Sequence, residues 1–182
     1  MKGPQKIPDS HLNNPLLYSF NDIIDFNNIQ PGDIGAATTS VLIDADKIVT
    51  EILAVLHTAR TFENTLLKID DLYNIVSKVW NLIGLINSTH PSEHIRNESN
   101  ENDLRIQVYM IDLSMNEDLY YAILAYSTTQ EARELQGGRK RFLQSELRDF
   151  KRSGMDLSTK DRKKLKEIQI RHSELCIAFA NN

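Results

Sequence analysis

ELRDFKRSGMDLSTKDRKKLKEIQIRHSELCIAF, Glu146 to Phe179, decides the fold class. It reads as a helix, a glycine turn and a second helix. In the second helix Leu165, Ile168, His172, Leu175 and Phe179 follow in steps of 3, 4, 3 and 4, the spacing of one helical face. Four of these five side chains are strongly apolar. Burying them would contribute roughly 6–12 kcal/mol at about 1.5–3 each, so the face needs a partner surface. The preceding helix and the two long N-terminal helices are the expected cover for part of it. The pattern is still running three residues before Asn182, and the reading expects the fold to continue past this chain. Gly154 suits the left-handed C′ position. Ser158 with Asp161 has the spacing of a capping box, with Asp in place of Glu or Gln.

Working back toward the N-terminus, the same periodicity recurs. Gln30-Pro31-Gly32-Asp33 is a helix start, with Asp33 as the expected N-cap. A helix to about Arg60 carries Val41, Ala45, Ile48, Ile52, Val55 and Ala59 in a heptad-like seam. Thr61 to Thr65 breaks the pattern. A second helix to about Asn87 turns Leu72, Ile75, Val79, Leu82 and Ile86 one way, with Trp80 as an anchor in or near the core. The short connection implies antiparallel neighbours. A third helix, about Ser92 to Met115, is polar at first and marks Leu104, Val108, Ile111 and Met115 as its buried side. RIQVYMIDL, Arg105 to Leu113, alternates like a strand, but that spacing keeps it helical. A shorter helix covers Leu119 to about Tyr126. Gly137-Gly138 marks a turn, and a fifth helix, about Arg139 to Ser153, buries Leu143, Leu147 and Phe150. The expectation is an all-α antiparallel bundle of about six helices over residues 31–182. An extended arm, residues 1–30, precedes it, discouraged from helix by Pro4, Pro8 and Pro15 and anchored by apolar residues such as Leu16, Phe20 and Ile29.

Composition narrows the function classes. The chain has 182 residues, 41% hydrophobic and 25% charged, which suits one soluble domain or lobe. No apolar run approaches a membrane span of about 18 residues, and the N-terminus lacks the apolar core of a secretory signal. With one cysteine, the expected compartment is reducing and cytoplasmic. Cys176 lies one position off the apolar stripe and reads as a buried structural thiol. Residues 131–171 hold 13 Lys and Arg against 7 Asp and Glu, and the remainder 8 against 18. The basic segment alternates in sign along helix faces without interleaved aromatic platforms. It reads as a solvated face, with neither nucleic acid nor membrane as partner.

Few motifs carry chemistry. His90-Pro91-Ser92-Glu93-His94 matches H-x-x-E-H, in which two histidines on one helical face hold zinc and the glutamate activates water. Pro91 biases His90 away from helical geometry, the surroundings are polar, and no third ligand offers itself. A zinc hydrolase built on His90, Glu93 and His94 is therefore a remote alternative. His57 and His172 read as packed residues beside or on apolar faces. No phosphate loop, nucleophile elbow, Cys/His pair or H-E-x-x-H occurs.

Taken in order, several segments resemble the N-terminal region of the M3 zinc metallopeptidases, the family of thimet oligopeptidase, oligopeptidase A and dipeptidyl carboxypeptidase. NPLLYSFNDIIDFNNIQPGDI is similar to the family's entry segment, and Thr61-Phe62-Glu63-Asn64-Thr65 to its T-[FW]-E-N-T signature. Leu85-Ile86-Asn87-Ser88 resembles H-L-N-S, and Asn116 to Tyr120 resembles N-x-x-L-Y. Leu147-Arg148-Asp149-Phe150, Ser153-Gly154 and Leu157 resemble L-R-D-F-x-x-S-G-x-x-L, and Ser173-Glu174-Leu175 with Phe179 resembles S-E-L followed by F-x-x-N. The resemblance covers about residues 14–182. It implies a helical lobe that walls a channel admitting short peptides. It also implies that zinc and the catalytic residues belong to a downstream catalytic domain, the expected partner in cis or in trans. No catalytic, metal or cofactor residue is expected in this chain, and its substrate-binding residues stay unassigned. The alternative is a stand-alone helical interaction module derived from that lobe.

Overall fold

The computed structural model describes residues 14–18 and 23–180, all-helical with no strand among them. The helices are α1 (Asp33–Ala54), α2 (Leu67–Thr89), α3 (Glu93–Ser114), α4 (Glu117–Ser127), α5 (Gln130–Glu134), α6 (Gly137–Phe150) and α7 (Thr159–Ala180). Arg105 to Leu113 lies within α3, as helix. The expected arm anchors Leu16 and Ile29 are buried, and Asn14 Nδ2 donates to Asp33 O at 2.7 Å. The expectations for Pro4, Pro8 and Phe20 lie outside the described residues.

α2 is the centre of the packing. Ile69, Leu72, Val76, Val79, Leu82, Ile83 and Ile86 are all buried, and α1 and α3 are its main neighbours. α1 contributes Ile34, Ala37, Val41, Ala45 and Ile52, close to the expected seam. Two ends differ from expectation. The N-cap of α1 is Gly32, at φ 96°, not Asp33; the Asp33 carboxylate accepts from Gln30 N at 2.8 Å instead. Glu98 of α3 then accepts from Gly32 N and Gly35 N, each at 2.9 Å, placing a negative charge at the positive end of α1. At its other end α1 stops at Ala54, six residues before the expected boundary.

Thr61 to Thr65 does not interrupt the helix pattern so much as begin it. Phe62–Leu66 is a wide helical turn running directly into α2. Thr61 and Asn64 form a reciprocal capping box: Asn64 N donates to Thr61 Oγ1 at 3.2 Å and Thr61 N to Asn64 Oδ1 at 2.8 Å. The carboxylate of Glu131, in the first turn of α5, accepts from Phe62 N at 3.2 Å, so α5 holds this start in place. α5 itself is capped by Thr129, whose Oγ1 accepts from Ala132 N at 3.1 Å; five residues are too few to show a period in the sequence.

Two buried faces are not the expected ones. On α3 the buried side chains are Ile95, Ser99, Asn102, Ile106 and Leu113; Leu104, Val108, Ile111 and Met115 are only half-buried. Ser99 stays buried by donating to Ile95 O at 2.9 Å, and Asn102 by donating to Glu98 O at 2.8 Å. The second correction concerns α7. It packs chiefly on α3 through a mixed side: Lys166 pairs with Asp112 of α3, Arg162 with Glu117 at the start of α4, and Ser173 is its one buried residue. Leu165, Ile170 and Ile177 are half-buried on that side. Taking about 100° per residue, the stripe is centred about 120° round the helix from this arc, with Leu165 at the shared edge. Gly154, at φ 105°, turns the chain between α6 and α7 as expected, and a Cβ there would meet Leu165 Cδ2 at 3.0 Å.

Ile83 and Ile168 therefore differ sharply despite equal size. Ile83→Ala should cost about 2–5 kcal/mol and lower Tm by several degrees in thermal unfolding. Ile168→Ala should stay within about 0.5 kcal/mol of the parent.

Candidate functional site

HPSEH does not assemble a histidine pair. His90 is the C-cap of α2, with extended backbone at φ −69° and ψ 132°. Its Nδ1 accepts from Ser92 N at 3.2 Å. Glu93 opens α3 and His94 is exposed on its first turn. The two imidazoles thus sit on either side of a helix boundary, as the proline predicts. Among the described residues no three His, Cys, Asp or Glu side chains come together to hold a metal, so the donor set for zinc does not fit here.

The feature that stands out is the outer face of α7. Ile168 is 56% exposed, Leu175 52% and Phe179 82%. Shallow apolar grooves run beside them, one against His172 and Leu175 and one between Leu175 and Phe179. Three large apolar side chains at helical spacing form a contiguous patch of the kind that marks an interaction site. The inner side of α7 holds it less firmly than an apolar seam would. Its ion pairs are partly exposed, and Arg162 Nε and Gln169 Oε1 are buried without a hydrogen-bond partner, a cost rather than a gain.

Cys176 corrects an expectation. It is exposed, not buried, at the edge between the outer stripe and the side that packs. Its Sγ lies 3.6 Å from His172 Nε2, one helical turn away. This Cys/His pair was not expected, although a four-residue separation is a signal the sequence carries. Trp80 is a near-core anchor as expected: half-buried, it donates from Nε1 to Asp103 at 2.5 Å.

One buried carboxyl lies elsewhere. Glu146 of α6 is 8% exposed and accepts from Tyr73 Oη of α2 at 2.9 Å. Burial pushes its carboxyl above the ordinary carboxylate range; the Tyr73 bond opposes this, and Asp149 and Asp70 add repulsion. Burial and the Glu146 charge together hold the Tyr73 phenol far above its usual range. The pair ties α2 to α6.

The fold and its surfaces define an all-helical domain with one apolar helix face turned outward and no assembled metal site among the described residues. A family model described as Neurolysin/Thimet oligopeptidase, N-terminal domain, matches residues 39–162, and the chain belongs to that family. It is 27% identical to Oligopeptidase A of Haemophilus influenzae over 171 residues, 94% of this chain and 25% of that protein. Over 140 residues it is 29% identical to the Thimet-like oligopeptidase of Dictyostelium discoideum, 75% of this chain and 21% of that protein. The chain thus spans about a quarter of the length of the curated relatives it matches. No helix among the described residues is long and apolar enough to cross a membrane.

The Glu146 carboxyl sets a pH dependence. Its raised value in the fold means the native state holds this proton more tightly than the unfolded chain. That contribution is present below the ordinary carboxylate range, about pH 4.3, and is lost as pH rises through the raised value. Glu146→Gln keeps an acceptor for Tyr73 and removes the buried charge. It should therefore stabilise the chain at pH 8, with the gain shrinking toward pH 4 in denaturant titrations.

Proposed function

We propose that this chain is the N-terminal helical lobe of an M3-type zinc oligopeptidase, an enzyme acting on short peptides, and that it forms one wall of the substrate channel. The observation that carries the reading is the outer face of α7. Ile168, Leu175 and Phe179 are exposed on a helix whose other side already packs on α3. A catalytic domain seated on them would bury the apolar area that this lobe leaves in water. The proposed compartment is the cytoplasm.

In this reading the lobe holds no zinc and cleaves nothing by itself. Its 182 residues contain no H-E-x-x-H, and the zinc site and the water-activating glutamate belong to the catalytic domain. The lobe's contribution is shape: a helical wall that helps admit extended peptides and exclude folded proteins. A catalytic domain in cis and one supplied in trans are both consistent with that role.

Co-expression with an M3 catalytic domain tests the proposal. The expected outcome is a stable complex that cleaves a fluorogenic peptide, with neither piece active alone. Leu175→Glu and Phe179→Glu should each abolish association while shifting the stability of the isolated chain by no more than about 0.5 kcal/mol. Absence of both association and cleavage with the parent chain would refute it.

A further inference from the structure

The end of α1, the turn His57–Ala59 and the outer side of α4 enclose an open groove of about 590 Å³. Leu53, Tyr121 and Leu124 line it with apolar surface, and His57, Arg60 and Asp118 are its charged or titratable members. Leu53 and Leu124 are each 37% exposed and Tyr121 60%. Tyr121, Leu124 and Thr128 follow one another along α4 at three and four residues. The wall they form is about 10 Å long at 1.5 Å per residue, the length of about three residues of extended peptide.

Arg60 sets the chemistry of the groove. It is only 9% exposed, yet no carboxylate pairs with it among the described residues. Its Nη1 donates to Ile52 O at 3.0 Å, which closes the C-terminal turn of α1 and sets the cation against the negative end of the helix. A helix end supplies about half a unit of compensating charge, and Nε is left buried without an acceptor. A guanidinium in this state lacks a planar anion, and its fork matches a carboxylate. Asp118 lines the same groove. Its charge disfavours phosphate or an acidic run and leaves room for one negative group. The apolar walls call for bulky side chains beside it.

We propose that the groove between the end of α1 and α4 binds the free C-terminal carboxylate of an apolar peptide, with Arg60 as its anion partner and Leu53, Tyr121 and Leu124 as its apolar walls. The site uses only this chain's residues and does not involve α7, so it stands or falls separately from docking of the catalytic domain.

The test is titration of the ¹⁵N-labelled 182-residue chain with N-acetyl-leucyl-phenylalanine as the free acid, as the C-terminal amide, and with inorganic phosphate. The free acid should shift the Arg60 Nε–H resonance and the amides of Leu53, Tyr121 and Leu124, and bind at least about tenfold more tightly than the amide. Phosphate should leave the Nε–H signal unmoved. Arg60→Met should lose the preference for acid over amide. Because that change also removes the bond to Ile52 O, Leu124→Glu serves as a second variant: it keeps Arg60, places a competing carboxylate in the groove and should weaken the free acid at least about tenfold. Equal affinity for acid and amide, a response to phosphate that matches the free acid, or no shift up to about 10 mM would overturn the proposal.

Discussion

The rest of the structure depends on the width of the apolar arc on α2. Seven buried positions from Ile69 to Ile86 sweep about 140° of its circumference at about 100° per residue. A single neighbouring helix covers a narrow seam. This arc therefore requires two neighbours, and α1 and α3 fill that requirement. The capping box at Thr61 and Asn64 fixes where α2 begins, and the Glu98 clamp on the first turn of α1 fixes how α3 meets α1.

That arrangement has a consequence at the far side of α3. With Ile95, Ile106 and Leu113 turned inward, α3 presents Asp112 to its last neighbour, and Glu117 follows just beyond its end. α7 answers with Lys166 and Arg162. Opposite charges on partly exposed helix faces orient α7 but contribute little stability. Orienting it this way turns Ile168, Leu175 and Phe179 outward. The ion-paired, mixed inner seam and the apolar outer stripe are thus one choice of rotation. That choice suits the proposed role, in which a catalytic domain covers the outer side.

Much of this was legible in the sequence, and the failures have physical reasons. The seam Val41–Ala45–Ile52 and the stripe Leu72–Val79–Leu82–Ile86 were found because they are apolar and periodic. Gly154 was found because only a left-handed residue closes that turn. α3 was misread because its core positions Ser99 and Asn102 are polar; they satisfy themselves by donating to carbonyls of their own helix, which periodicity does not see. The stripe on α7 is legible as a stripe, but the neighbours expected to cover part of it reach only its edge at Leu165, since hydrophobicity says that a face wants a partner and not where the partner lies. Cys176 lies at the edge of that stripe and is exposed with it. The groove at Arg60 left no trace in the pattern, because it joins a loop arginine to α4 residues about sixty positions away.

Amide hydrogen exchange across α7, followed on the chain alone and after addition of an M3 catalytic domain, distinguishes a helix awaiting a second partner from one already fully packed. In the chain alone α7 amides should exchange at least about a hundredfold faster than those of α2, and become protected when the catalytic domain is added. An α7 as well protected as α2 in the isolated chain, and unchanged by the catalytic domain, would contradict the proposed docking.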